Sequence, residues 1–231
     1  MPGPLALIIW YSGMALEFGF VVCSLARKSF LRYFFFNLYL LLDLASEAAR
    51  YIFLVRFGMY SDAYRYVYYY TDALLTLALY MSLISLYSRV FGELKFGRFV
   101  RLTAVLLLLG TAAFSYGVVA QTTDKLVTTF AYELSQNLYF VGLVLTYVLW
   151  GAILKLRETR TRLVQFVLAL GVYFSAYAAI YALVNLASKY TVLSSLAPIL
   201  GCLLPLSWTI TLWRHSEESR LIPAQLVAVQ R

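Results

Sequence analysis

The run NLYLLLDLASEAARYIFLV, residues 37–55, is apolar enough to lie in a bilayer, yet it carries Asp43, Glu47 and Arg50. A short polar break follows, and then YVYYYTDALLTLALYMSL, residues 66–83, adds Asp72 to a second apolar run. Ionisable groups at that depth are costly and persist where they have a partner or a role. These two neighbouring runs define the architecture to look for in the rest of the chain, an all-α membrane protein.

Composition agrees. Of 231 residues, 62% are hydrophobic and 13% charged, against the roughly 25% charged residues of soluble domains. The net charge of +8 falls in short clusters between apolar runs rather than in one patch, which excludes nucleic acid as a partner. Cys23 and Cys202 stand alone in apolar segments, without the spacing of a disulfide framework or a metal knuckle. The single histidine, His215, lies beyond the last apolar run, so bis-histidine haem and most transition-metal sites are excluded and no cofactor is expected.

A spanning helix needs about 20 predominantly apolar residues. Seven windows qualify: residues 5–25, 34–57, 66–91, 100–121, 128–154, 163–187 and 192–213, followed by a tail at 214–231. The expected fold is therefore a seven-transmembrane-helix bundle. No basic residue precedes the first window, which marks a retained helix rather than a signal peptide. The connections are short, so sequential helices should be antiparallel neighbours with no domain outside the membrane. Neither half repeats the other, which weighs against an inverted-repeat transporter. Pro198, Gly201 and Pro205 make the last helix the best place for a kink. Trp10, Trp208, Trp213 and the tyrosines of 64–70 suit interfacial anchoring.

Fourteen lysines and arginines fall in the first, third and fifth connections and the tail, against Arg56, Arg65, Lys125 and Lys189 on the other side. The positive-inside bias puts the N-terminus outside and the C-terminus in the cytoplasm of a bacterial inner membrane.

Helical rise then sets depth. Asp43 and Glu17 come to the midplane, with Glu47 and Arg50 one and two turns further out. Asp72 is level with Glu47, and Glu133, Gln136 and Asn137 reach the same outer third, approached by Asn185. Asp43, Glu47 and Arg50 share a helix face, and Arg50 should pair with Glu47 or Asp72. Tyr69, Asp72, Thr76 and Tyr80 form a second stripe, and Tyr173, Tyr177 and Tyr181 a third. Five acids against one base cannot all be charged in a desolvated interior, so some are protonated, hydrated or paired with a group from outside the chain. Three readings stay open. The acids and tyrosines act as interhelical glue, they line a ligand pocket, or Glu17 and Asp43 continue a proton path.

The size, and Arg65-Tyr66 followed by Thr71, Leu74 and Leu75, loosely resemble the third helix of microbial rhodopsins. The last apolar run, VLSSLAPILGCLLPLSWTITLW, has no lysine for a retinal Schiff base, and all five lysines lie elsewhere. G-protein-coupled receptors fail likewise: Tyr87-Ser88-Arg89 is not their acidic-arginine-aromatic triplet, and no NPxxY follows. Four segments, ARKSFLRYFFFNLY, YRYVYYYTDALL, LYSRVF and RTRLVQFVLALGVYFSAYAAIY, are similar to those of a family of uncharacterised acidobacterial-type bacterial seven-helix proteins. That resemblance implies the fold and no activity.

The expected function is a non-enzymatic sensor or small-ligand-binding module, because no serine elbow, metal cluster or phosphate loop occurs. The pocket candidates are Glu47, Arg50, Asp72, Glu133, Gln136, Asn137, Tyr69 and Tyr177. Expected partners are the lipid bilayer, proteins at the cytoplasmic loops or lipid-facing helices, and a small-molecule ligand. The alternatives are an accessory subunit of a larger membrane complex and, third, a proton-coupled transporter.

Overall fold

A computed structural model of the chain describes residues 4–91, 97–120, 126–155, 160–186 and 197–215. These form seven α-helices and no strand: α1 (Pro4–Ala26), α2 (Phe34–Phe57), α3 (Asp62–Val90), α4 (Gly97–Val119), α5 (Leu126–Lys155), α6 (Thr161–Leu186) and α7 (Ala197–Arg214). Five contain stretches long and apolar enough to cross a membrane: Ile8–Ala26, Asp62–Val90, Leu102–Val119, Thr129–Lys155 and Thr161–Leu183. Two of the seven expected spans, α2 and α7, are not among them. Asp43, Glu47, Arg50 and Arg56 lower the hydropathy of α2. The described part of α7 has 18 residues, against the 22 expected, and mixes Pro, Ser and Thr into them. Residues 192–196, expected to open that helix, lie outside the described residues, as do Lys95, Lys125, Lys189 and the tail from 216 onward.

The helices pack in a ring, α1–α2–α3–α5–α6–α7, which closes where α7 returns to α1. Helix α4 sits outside it, against α5 and to a lesser extent α3. Its outer side, with Leu102, Val105, Leu106, Leu109 and Phe114, is exposed, as suits a face turned to acyl chains. Helices α2 and α6 face each other across the ring without extensive helix–helix packing, so long side chains fill the space between them.

Local sequence fixes the turns. At the α1–α2 turn, the N–H of Ser29 bonds the Ser24 carbonyl at 2.9 Å and that of Lys28 bonds Leu25 at 3.0 Å. This is a Schellman closure, and it places Lys28 at φ +53°, where glycine would avoid a penalty of about 1 kcal/mol. The α2–α3 turn uses Gly58 at φ +79°, whose N–H bonds the Leu54 carbonyl, and Ser61, whose hydroxyl caps the N–H of Tyr64 at 3.1 Å. Side chains opposite Gly142 and Gly171 seal α5 against α6. A Cβ at Gly142 would collide with the Phe174 ring, and one at Gly171 would meet Thr146 at 3.1 Å. Small residues let helix backbones approach closely where no hydrophobic force drives them together.

The two ends of the bundle differ. At the α1–α2 end, Phe20, Phe36, Phe166 and Trp208 meet with ring centroids 4.7–6.2 Å apart, all fully buried, with Leu40, Leu79, Leu83 and Phe174 around them. Trp208 is thus a core residue and not an interfacial anchor, fully buried against rings of α1, α2 and α6. Below this aromatic layer, arginines close the carbonyl end of α7. Arg27 bonds the Trp213 carbonyl at 3.0 Å, and the buried Arg162 bonds those of Leu212 at 3.3 Å and His215 at 3.0 Å. Cations there also complement the helix dipole.

Candidate functional site

At the opposite, α2–α3 end, the interior is polar. On α2, Glu47 and Arg50 are three residues apart and close a salt bridge of 3.4 Å, their side chains 22% and 15% exposed. The guanidinium is further held by α3. Its Nε donates to Thr71 Oγ1 at 2.8 Å, its Nη2 to the Tyr68 carbonyl at 3.4 Å, and its central carbon lies 4.7 Å from the Tyr68 ring centroid. The second Glu47 oxygen accepts the indole N–H of Trp10 on α1. Trp10 therefore reaches across to α2, with its ring 5.4 Å from that of Tyr51. One ion pair ties three helices together.

One turn deeper, Glu17 of α1 and Asp43 of α2 bring their carboxyls into direct polar contact. Glu17 is 7% exposed, and its Oε2 has no hydrogen-bond partner. Two carboxyls that close cannot both carry charge in a desolvated interior. Beneath Asp43 the hydroxyls of Tyr39, Tyr173 and Tyr177 meet one another against the aromatic layer around Trp208. Among the described residues, the polar groups buried toward the α1–α2 end are uncharged apart from Arg162 at the carbonyl end of α7, with Asn37 donating to Ser24 Oγ at 3.0 Å.

Asp72, on α3, does not join the ion pair. Arg50 is near enough to act on it electrostatically but makes its salt bridge with Glu47 alone. Asp72 faces Ser135 of α5, whose fully buried hydroxyl lies beside its carboxyl. Around it runs a chain of tyrosine rings: Tyr68 to Tyr69 at 5.7 Å, Tyr69 to Tyr132 at 6.3 Å, Tyr132 to Tyr181 at 5.8 Å, Tyr181 to Tyr139 at 5.5 Å, and Tyr139 to Tyr177 at 5.0 Å. Tyr69 of the α3 stripe thus meets the α6 tyrosines through Tyr132 and Tyr139 of α5, whereas Tyr80, the far end of that stripe, turns to α4 and donates to the Ala104 carbonyl at 3.2 Å.

The group expected from α5 divides. Asn137 turns to α4, donating to Ser115 Oγ at 2.9 Å, and leaves the Asp72 site. Glu133, one turn earlier, is half-buried and has no basic partner among the described residues. Gln136 is half-buried with its Oε1 unbonded, one turn from Tyr132. The α5 residues that do meet Asp72 and the tyrosines are Ser135, Tyr132 and Tyr139. Asn185 lies in the last turn of α6, where the side chains are outside the described residues.

The arrangement can bind, position and exchange protons. It presents no grouping of three or more His, Cys, Asp or Glu side chains suited to a metal ion among the described residues. Comparison with protein families, with curated proteins and with solved structures gave no match.

Proposed function

We propose that this chain is a multi-pass membrane sensor or small-ligand-binding module, with its polar α2–α3 end facing outward and its basic α1–α2 end in the cytoplasm of a bacterial inner membrane. The observation that carries the reading is the one-sided interior. Acids and tyrosines from α1, α2, α3, α5 and α6 converge at one end and stop on a fully buried aromatic layer. Polar groups in a bilayer interior are retained where they pair or act, and the net excess of acids exceeds what Arg50 neutralises. The aromatic layer opposes the proton-coupled transporter, which needs a polar route to the other side.

The accessory-subunit reading draws on the direct bonds Arg50–Thr71, Trp10–Glu47 and Asn137–Ser115, which are the interhelical glue of a purely structural bundle. A native pull-down followed by mass identification of bound proteins and small molecules separates the two. A sensor purifies alone or with a small molecule; a subunit brings fixed partners in constant stoichiometry, and that result would displace the sensor.

Orientation has its own test. Arg27, Lys28, Arg32, Arg89, Lys155, Arg160, Arg162 and Arg214 gather at the α1–α2 end, against Arg56 and Arg65 at the other. A reporter fused after Arg231 is expected to be active in the cytoplasm, and one before Met1 outside it. A C-terminal reporter active only outside reverses the orientation.

A further inference from the structure

We propose that the tyrosine cluster around Asp72, between α3, α5 and α6, binds a small organic ammonium ion. This deepens the sensor reading and rests on it. Four features of the cluster carry the inference.

The first is charge. Asp72 has no salt-bridge partner among the described residues, because the one nearby base, Arg50, is engaged by Glu47 and Thr71. The second is a buried polar neighbour. The Ser135 hydroxyl lies beside the Asp72 carboxyl and is fully buried, so it helps to fix the acid in place. The third is ring geometry. Tyr69 and Tyr132 meet at 84°, and Tyr132 and Tyr181 at 69°. Rings set edge to face turn their π-faces in different directions, which is how several aromatic walls surround one cation. The fourth is access: Asp72, Tyr69, Tyr132, Tyr177 and Tyr181 each remain partly exposed.

The chain already shows that this wall accepts a cation. The Arg50 guanidinium lies 4.7 Å from the ring centroid of Tyr68, the first ring of the same chain. An ammonium ion with alkyl substituents suits the deeper part better than an inorganic ion. Its charge is spread over a weakly hydrated apolar surface that the rings can replace, whereas a small metal ion would need several oxygen ligands. Neutral sugars and carboxylates lack the first requirement or oppose it.

The test measures melting temperature and titration calorimetry of the purified full-length protein in nanodiscs, with choline chloride and its uncharged carbon analogue 3,3-dimethylbutan-1-ol as probes. Choline is expected to raise the melting temperature and the alcohol to leave it unchanged. Asp72→Asn should weaken choline at least about tenfold, the loss of a favourable charge contact in a partly desolvated site. Tyr181→Leu should also weaken it, while Tyr181→Phe, which keeps the ring, should bind as the parent does. That pair reads the site even where Asp72→Asn fails to fold. Equal binding of choline and the alcohol, or choline affinity unchanged in both Asp72→Asn and Tyr181→Leu, overturns the proposal. So does inert choline; if neutral or anionic compounds then shift melting, the sensor reading survives with another ligand class. No shift by any compound, with a fixed protein partner in the pull-down, sinks both.

Discussion

Replacing Trp208 by alanine is expected to lower the unfolding free energy of the solubilised protein by about 3–5 kcal/mol, the range for aromatic truncation in a packed core. Trp208 is fully buried, with Phe36 at 4.7 Å, Phe20 and Tyr39 at 6.0 Å and Phe166 at 6.2 Å between centroids. It thus touches α1, α2 and α6 from α7. In a bilayer, lipid tails remove most of the hydrophobic gain of helix association, so the loss comes from dispersion contacts and the void left behind. The indole N–H has no partner, so Trp208→Phe sacrifices no hydrogen bond and should recover most of the difference. Denaturant or thermal unfolding in one detergent measures both. A loss below about 1 kcal/mol for Trp208→Ala would mean that the aromatic layer is not packed as described.

Arg50→Leu is expected to cost about 2–4 kcal/mol, somewhat below the roughly 3–5 kcal/mol of breaking a fully buried pair because both side chains keep some exposure. Leucine leaves Glu47 with only the Trp10 donor, and it releases Thr71 and the Tyr68 carbonyl from α2. The α2–α3 contact loses its polar lock. Arg50→Lys should recover part of the loss, since an ammonium reaches one partner at a time and cannot lie flat on Tyr68. A double-mutant cycle with Glu47→Gln isolates the pair. An Arg50→Leu protein as stable as its parent would fit a guanidinium that snorkels to headgroups.

The helices are legible in the sequence because apolar windows are long and their interruptions are glycine, serine and charge; α3 starts at Asp62 rather than 66 because Ser61 caps it. The Glu47–Arg50 pair is legible for a local reason, a spacing of three on one helix. What spacing cannot supply is which neighbour a face meets. Asn137 lies on α5, and whether it serves the acid site or α4 depends on α4 standing outside the ring, which nothing in the composition of α4 dictates. Ser135 and Tyr132 escape a reading by spacing for the same reason. Trp208 fits the interfacial habit of tryptophan by sequence, while the phenylalanine layer, a long-range partner, draws it inward.

The proposal that the polar interior opens to one side only is tested most directly by thiol accessibility. In a Cys23→Ala, Cys202→Ala background, the Tyr181→Cys variant is exposed to a membrane-impermeant maleimide in right-side-out and in inverted vesicles. A Leu31→Cys variant, at an 84% exposed position of the α1–α2 turn, reports the face that the proposed orientation puts in the cytoplasm. The thiol introduced at position 181 is expected to label from the outside only, and the one at position 31 from the inside only. Labelling at position 181 at comparable rates from both sides would reveal a continuous path through the aromatic layer, and labelling from neither would reveal a sealed core; either result contradicts a one-sided sensor.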